Sequence, residues 1–156
     1  MTESSAASKQ FAIQKLYLKD ASFESPDAPH SFGFTKWDPK IDLNMNNTSA
    51  HIDGDIYEAV LRVTATVSLE EKTAFLIEVQ FAGLFAISGF DEDERKYLLG
   101  SQCMTVLFPY VREVISDMTI RGGFPPFLLS PVNFDGLYQQ HLQQQKEKQA
   151  DGETAH

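Results

Sequence analysis

The chain has 156 residues, of which 42% are hydrophobic and 22% are charged, so it is long enough for one packed domain and too short for two. Its 22 acidic residues outnumber its 13 basic residues and give a formal charge of -9, which argues against a protein that binds nucleic acid. The 12 Phe, 5 Tyr and 1 Trp carry more aromatic surface than one small core is expected to hide.

Cysteine content and the N-terminus narrow the class further. The single cysteine, Cys103, cannot form an internal disulfide or a local zinc knuckle, which excludes a disulfide scaffold and a structural zinc fold. The segment from Met1 to Gln10 lacks the basic and apolar regions of a signal peptide, and no apolar run reaches about 18 residues. We therefore expect a soluble cytoplasmic protein that does not insert into a membrane.

The first strands are read from residue alternation. Phe11 to Phe23 is rich in β-branched, aromatic and aliphatic residues and predicts one strand. Pro26 to Pro39 predicts a long, unusually aromatic loop, and loops of this length are usually functional or mobile. Ile41, Leu43 and Met45 then alternate with polar residues and predict a short strand that ends at 46–48.

A long hairpin follows from Asp55. The apolar residues of its two strands fall on one face, while the opposite face is mixed, and Glu70 to Lys72 makes the turn. The members of the apolar face are Tyr57, Ala59, Leu61, Val63, Ala65, Val67 and Leu69, and then Phe75, Ile77, Val79, Phe81, Phe85 and Ile87.

Helical spacing replaces strand alternation after the hairpin. It predicts one long helix from Asp91 to Ile120, with a kink or break at Pro109, and a last helix capped by Asn133. The order predicts an α+β fold in which helices cover one face of an antiparallel sheet. We expect disordered tails at 1–9 and 143–156 around a folded domain at 10–142.

Catalytic and metal-binding patterns are weak. No nucleotide-binding or hydrolase motif occurs, and the four histidines lack paired metal-ligand spacing, so we expect neither a cofactor nor a metal ion. A small-ligand enzyme that uses Cys103 or a histidine is an alternative, but Cys103 lies in the middle of the predicted helix, where core packing is the better explanation.

Two surface features leave alternatives open. Leu76 and Glu78 lie on the outward face of the sheet, where they are either ordinary solvated positions or a docking spot for a basic partner. Three apolar segments either fold into the core or line an exposed apolar groove: the aromatic loop, the short strand with Ile41, Leu43 and Met45, and the segment 127–129.

Longer stretches of the chain resemble the SecB family of protein-export chaperones, in one register from about Phe11 to Gln145. The segments that carry the resemblance are LYLKDASFESPDAPHSF (16–32), WDP (37–39), YEAVLRVTATVSL (57–69), TAFLIEVQ (73–80), LFPYVRE (107–113) and RGGFPPFLLSPVNFDGLY (121–138).

The resemblance implies a homotetramer, built as a dimer of dimers. Each subunit would have a four-stranded antiparallel sheet with a long helix and a shorter C-terminal helix on one face. Such a protein binds unfolded precursor proteins before export and hands them to the translocation ATPase SecA, and it has no enzymatic activity of its own. A SecB-like chaperone dedicated to one client, such as an antitoxin, is the alternative that the sequence leaves open.

The family's functional positions carry over by motif. The implied SecA-binding residues are Asp20, Glu24, Leu76 and Glu78, which would meet the basic, zinc-binding C-terminal segment of SecA. The residues implied in subunit assembly are Ile77, Val79 and Phe81. The implied client-binding groove is lined by Trp37, Ile41, Leu43, Met45, Phe127 and Leu129.

Overall fold

The computed structural model describes residues 8–154, which form one sheet followed by helices. The strands are β1 (Gln10–Glu24), β2 (Lys40–Asp53), β3 (Ile56–Leu69) and β4 (Lys72–Ser88). All neighbouring strands are antiparallel, in the order β1-β4-β3-β2. The predicted four-stranded antiparallel sheet is therefore confirmed. Residues 1–7 of the predicted N-terminal tail lie outside the described residues.

Strand β2 is longer than its hydrophobic pattern predicts. It was expected to end at 46–48, but its pairing with β3 continues from Lys40 opposite Ser68 to His51 opposite Tyr57 without a break. Because β2 is an edge strand, its polar side chains stay in water while the backbone ladder continues. The backbone hydrogen bonds, which side-chain alternation does not reveal, carry the strand to Asp53.

The predicted apolar face of the hairpin forms the core. Alternate residues of β3 and β4 are buried, and the helix that follows packs across these two central strands. Replacing a fully buried side chain such as Phe75 with alanine would leave a cavity and cost about 3–5 kcal/mol. Residues of this face with almost no exposed surface are Leu61, Val63, Val67, Phe75, Ile77, Val79 and Phe85.

The long helix is interrupted at a different place from the one predicted. It consists of α1 (Glu92–Tyr97), a π-helical turn at Leu98–Gln102 and α2 (Cys103–Arg121). Helix α2 continues through Pro109, so the break predicted there is wrong. Pro109 is exposed, as is Thr105, whose carbonyl loses its partner at this proline, so water can satisfy that carbonyl.

Both ends of the long helix agree with the sequence. Asp91 caps the start, because its side-chain Oδ1 accepts a hydrogen bond from the Glu94 backbone N–H at 2.8 Å. Gly122 caps the end, and Gly123 follows with a φ of 88°, a left-handed conformation that glycine adopts without strain.

The last helix, α3 (Phe134–Thr154), begins where predicted and ends later. The Gly136 backbone N–H donates to Asn133 Oδ1 at 3.0 Å, which confirms the cap. The tail predicted as disordered from 143 is instead helical to Thr154, and residues 155 and 156 lie outside the described part. The glutamine- and lysine-rich segment has good helix formers and no breaker before Gly152, so intrinsic propensity extends the helix along exposed residues.

None of the helices in the part of the chain described is long and apolar enough to cross a membrane.

Candidate functional site

The four residues predicted to bind SecA lie together on the outer face of the sheet, opposite the helices. Paired residues of neighbouring strands point to the same face, and Glu24 pairs with Leu76 while Asp20 pairs with Gln80. Glu78 lies between these two pairs, opposite Ser22. We call Asp20, Glu24, Leu76 and Glu78 the outer acidic patch.

The carboxylates of the outer acidic patch differ in their surroundings. Asp20 and Glu24 are exposed, and within residues 8–154 no ion pair involves either of them. Glu78 is half-buried, and its Oε1 lies 2.8 Å from the Nε of Arg62 on β3. The Gln80 side-chain amide donates to the same oxygen at 3.4 Å. Two carboxylates are therefore open to a partner, and the third already has one.

A fourth carboxylate on this face, Glu58, belongs to a closed cluster that the sequence did not reveal. It accepts hydrogen bonds from the Tyr17 hydroxyl and from Lys19 Nζ, the latter at 2.8 Å. The hydrogen bonds from Lys19 and then Tyr17 lower the pKa of Glu58, while burial and the bond to Glu58 raise the pKa of Tyr17 to about 12. Residue alternation puts Glu58 on the outer face. The cluster could not be predicted, because Lys19, which binds Glu58, lies in a bulge of β1 between Leu18 and Asp20, and this bulge has no signature in the sequence.

The Glu58 cluster predicts a specific acid sensitivity. A lowered carboxyl pKa contributes stability that is present above the ordinary value of 4.5 and is lost as the pH falls through the folded value. We expect the melting temperature of the wild type to fall more steeply than that of Glu58→Gln between about pH 6 and about pH 3 in thermal unfolding measurements. Glu147→Gln on the exposed part of α3 is the control and should follow the wild type; parallel curves for all three proteins would contradict the prediction.

Strand β2 carries an apolar stripe on the inner face of the sheet. Ile41, Leu43 and Met45 pair with inner-face residues of β3, but β2 lies at the edge, beyond the two strands that α2 covers. Ile41 is 43% exposed, Leu43 is 40% exposed and Met45 is half-buried. Apolar side chains at this exposure present surface that a ligand could bury.

The aromatic loop before β2 is anchored on Phe124, a residue that the sequence did not single out. The Phe124 ring contacts Phe32 at 5.3 Å and Trp37 at 6.1 Å between ring centroids, and it also packs on Phe75 at 4.9 Å. A Cβ atom added at Gly123 would lie 2.9 Å from the Phe32 ring, so glycine lets the loop approach. Trp37 is thus held three residues before β2 begins.

The segment 127–129 divides differently from the prediction. Leu129 is 4% exposed and belongs to the core, whereas Leu128, which was not assigned to the groove, is 67% exposed. Two backbone contacts hold the segment: the Phe127 N–H donates to Thr119 Oγ1 at 3.0 Å, and Arg112 Nε donates to the Leu129 carbonyl at 2.9 Å. These two hydrogen bonds determine which leucine faces inward. The sequence could not predict this, because a proline-flanked loop has no periodic pattern of apolar residues.

A cavity of about 580 Å³ lies beside the β2 stripe and was not predicted. Helix α3 forms one wall, and the Tyr138 ring packs so closely on the π-helical turn that a Cβ atom at Gly100 would lie 2.8 Å from it. Met45 belongs to both the stripe and the cavity. The lining residues are Met45, Asn46, Asn47, Leu61, Lys96, Gly100, Met104, Phe134, Leu137, Tyr138, His141, Leu142 and Gln145.

The residues predicted to act in subunit assembly lie inside their own subunit. Ile77 and Val79 are buried under α2, and Phe81 stacks on Tyr110 with 5.2 Å between ring centroids. Exposed apolar side chains occur instead beside Phe81, where its cross-strand partner Leu18 and its stacking partner Tyr110 are both open to solvent. Any influence of Ile77 and Val79 on assembly must therefore pass through core packing.

The structure does not favour the enzyme alternative. Cys103 has no exposed surface, and burial raises the pKa of its thiol to about 12, which disfavours the reactive thiolate. Among the residues described, no three His, Cys, Asp or Glu side chains are grouped so that they could hold a metal ion.

Comparisons with known proteins agree on one family. The family model described as "Preprotein translocase subunit SecB" matches residues 4–145. The "Protein-export protein SecB" of Hydrogenovibrio crunogenus is 52% identical over 139 residues, covering 89% of this chain and 93% of the relative. The protein of the same name from Methylococcus capsulatus is 50% identical over 154 residues, covering 99% of this chain and 98% of the relative.

A solved structure supports the fold. The SecB-like chaperone of Mycobacterium tuberculosis, in complex with a ChAD peptide from the HigA1 antitoxin, superposes with a TM-score of 0.67. The match covers 78% of this chain and 90% of that chain at 20% sequence identity, so it bears on the fold alone.

Proposed function

Because the chain belongs to the SecB family of non-enzymatic protein-export chaperones, we propose that it captures unfolded precursor proteins in the cytoplasm and delivers them to SecA. One observation supports separate sites for client capture and SecA binding. The exposed apolar stripe of Ile41 and Leu43 lies on the inner face of the sheet, and the outer acidic patch lies on the opposite face. A client and a basic partner would then use separate surfaces of one subunit.

The client site in this proposal comprises the β2 stripe, Trp37, the 127–129 segment and the adjoining cavity. Burial of one leucine or isoleucine side chain is worth about 1.5–3 kcal/mol, so a single short contact binds weakly. Capture without ATP needs several such contacts on one client, and linked sites raise avidity by roughly 10²–10⁴. The flexible Met45 side chain suits a surface that accepts many sequences.

The SecA site in this proposal is the outer acidic patch, which would bind the basic, zinc-binding C-terminal segment of SecA. Opposite charges favour fast and specific docking, and Leu76 supplies apolar contact between Glu24 and Glu78. The zinc ion would belong to SecA and not to this chain.

Assembly in this proposal is a homotetramer, a dimer of dimers. Exposed apolar side chains on the inner side of β1, namely Ile13 and Leu18, together with Tyr110 on α2, form a strip that a second subunit would cover. A dedicated client such as an antitoxin remains the second candidate, but the relatives near 50% identity carry the name of an export protein, which favours general export.

Three measurements on the wild-type protein test the proposal. Light scattering should give a mass four times the 17.5 kDa of one chain. In the absence of ATP, the protein should delay refolding of a denatured precursor and should bind SecA. A monomer that neither delays refolding nor binds SecA would contradict the proposed function.

A further inference from the structure

We infer that Arg62 competes inside the subunit for Glu78 and thereby limits how tightly a basic segment docks on the outer acidic patch. The inference rests on the proposed SecA docking and adds a residue that tunes it. Its consequence is unusual for a basic residue next to a docking site, because removal of Arg62 should strengthen binding.

The geometry of the sheet brings Arg62 to Glu78 from the neighbouring strand. Arg62 is directly opposite Gln80, and Glu78 is directly opposite Thr64, so the arginine reaches along the diagonal. Its Nε lies 2.8 Å from Glu78 Oε1, the same oxygen to which Gln80 donates. A lysine or arginine from a partner that approaches Glu78 therefore meets an oxygen that is already paired.

The pair is weak enough to be exchanged. The Arg62 side chain is 47% exposed and that of Glu78 is 25% exposed, so water screens their attraction. Ion pairs of this exposure shift an equilibrium by only about 1.5-fold to fivefold. Glu58 differs, because Tyr17 and Lys19 both bond it, and it is closed to a partner.

Within the outer acidic patch, the described residues provide one ion-paired carboxylate, Glu78, and one competing cation, Arg62. A partner can meet Asp20 and Glu24 without breaking a pair in the chaperone, but at Glu78 it must replace Arg62. The positive guanidinium also repels an approaching basic segment. Both effects have the same sign, so each makes docking weaker with Arg62 than without it.

The test uses Arg62→Gln and the zinc-loaded C-terminal segment of SecA, with affinity measured by calorimetry at low and high salt. We expect Arg62→Gln to bind about two- to fivefold more tightly than the wild type at low salt, with a smaller gain at high salt. Arg62→Lys, which keeps the charge, should stay near the wild type. Arg121→Gln is the matched control, because Arg121 also pairs with a carboxylate, Asp117 Oδ2 at 2.9 Å, at the end of α2.

The outcomes separate the inference from the proposed function. If the wild type binds and Arg62→Gln gains no more affinity than Arg121→Gln, or loses affinity, the inference is overturned while the SecA proposal stands. If the wild type does not bind the segment, the proposed docking fails and the competition fails with it. A gain confined to Arg62→Gln supports both.

Discussion

The double variant Leu43→Arg with Met45→Arg is expected to weaken capture of an unfolded precursor by at least about thirtyfold, because it removes two apolar contacts and places charge where a client would be buried. Thirtyfold corresponds to about 2 kcal/mol, less than the full burial of two such side chains. The measurement is the concentration of chaperone that half-arrests refolding of a denatured precursor.

The same strand offers a matched control. Asn44 and Thr48 lie on the same strand, are exposed, face outward and do not line the cavity, so Asn44→Arg with Thr48→Arg adds the same charge to the same strand on the opposite face. This control should capture clients as the wild type does. Equal loss in both double variants, with the melting temperature unchanged, would contradict a client site on the inner face.

Glu78→Lys is expected to abolish measurable docking of SecA at low salt while client capture is retained. The substitution reverses the charge at the centre of the outer acidic patch and places a lysine beside Arg62, so a basic segment meets two cations in place of one ion pair. Calorimetry with the SecA segment measures the loss, and the refolding assay measures the retained capture.

Glu147→Lys is the control for net charge, because Glu147 is exposed on α3 and is not part of the outer acidic patch. It should bind the SecA segment about as well as the wild type. Unchanged affinity in Glu78→Lys, or a similar loss in both variants, would show that docking does not use the outer acidic patch.

Side-chain alternation was sufficient to separate the two faces of the sheet. The period of two in β3 and β4 put Ile77 and Val79 inward and Glu78 outward, and the structure has them so. The bounds predicted for the long helix, Asp91 to Ile120, also agree with the structure, since both ends follow from local backbone chemistry. Patterns that depend on near neighbours in the chain are therefore reliable here.

Features that depend on contacts between distant segments could not be read from the sequence. The π-helical turn at Leu98–Gln102 lies where Tyr138 packs on Gly100, about forty residues apart in the chain, whereas the visible signal, Pro109, does not interrupt the helix. Leu129, which was predicted to line the groove, is buried while Leu128 is exposed, because Arg112 holds the Leu129 carbonyl. Neither choice leaves a local pattern.

The cavity under α3 belongs to the same class of feature. Helical spacing predicted α3, but only the packing of Phe134 on Phe108 and of Tyr138 on Tyr97 shows which side of the helix faces the β2 stripe. Part of the surplus of aromatic residues noted in the composition is explained by packing between distant segments, since Phe124 contacts Phe23, Phe32, Trp37 and Phe75 near the end of α2.

In the proposed function, clients and SecA use opposite faces of one sheet, and simultaneous binding is the sharpest test of this claim. The wild-type protein would be saturated with an unfolded precursor and then titrated with the zinc-loaded C-terminal segment of SecA. We predict that the segment binds with an affinity within about twofold of that for the empty protein and that the precursor stays bound. Mutually exclusive binding, in which either ligand displaces the other, would contradict the claim.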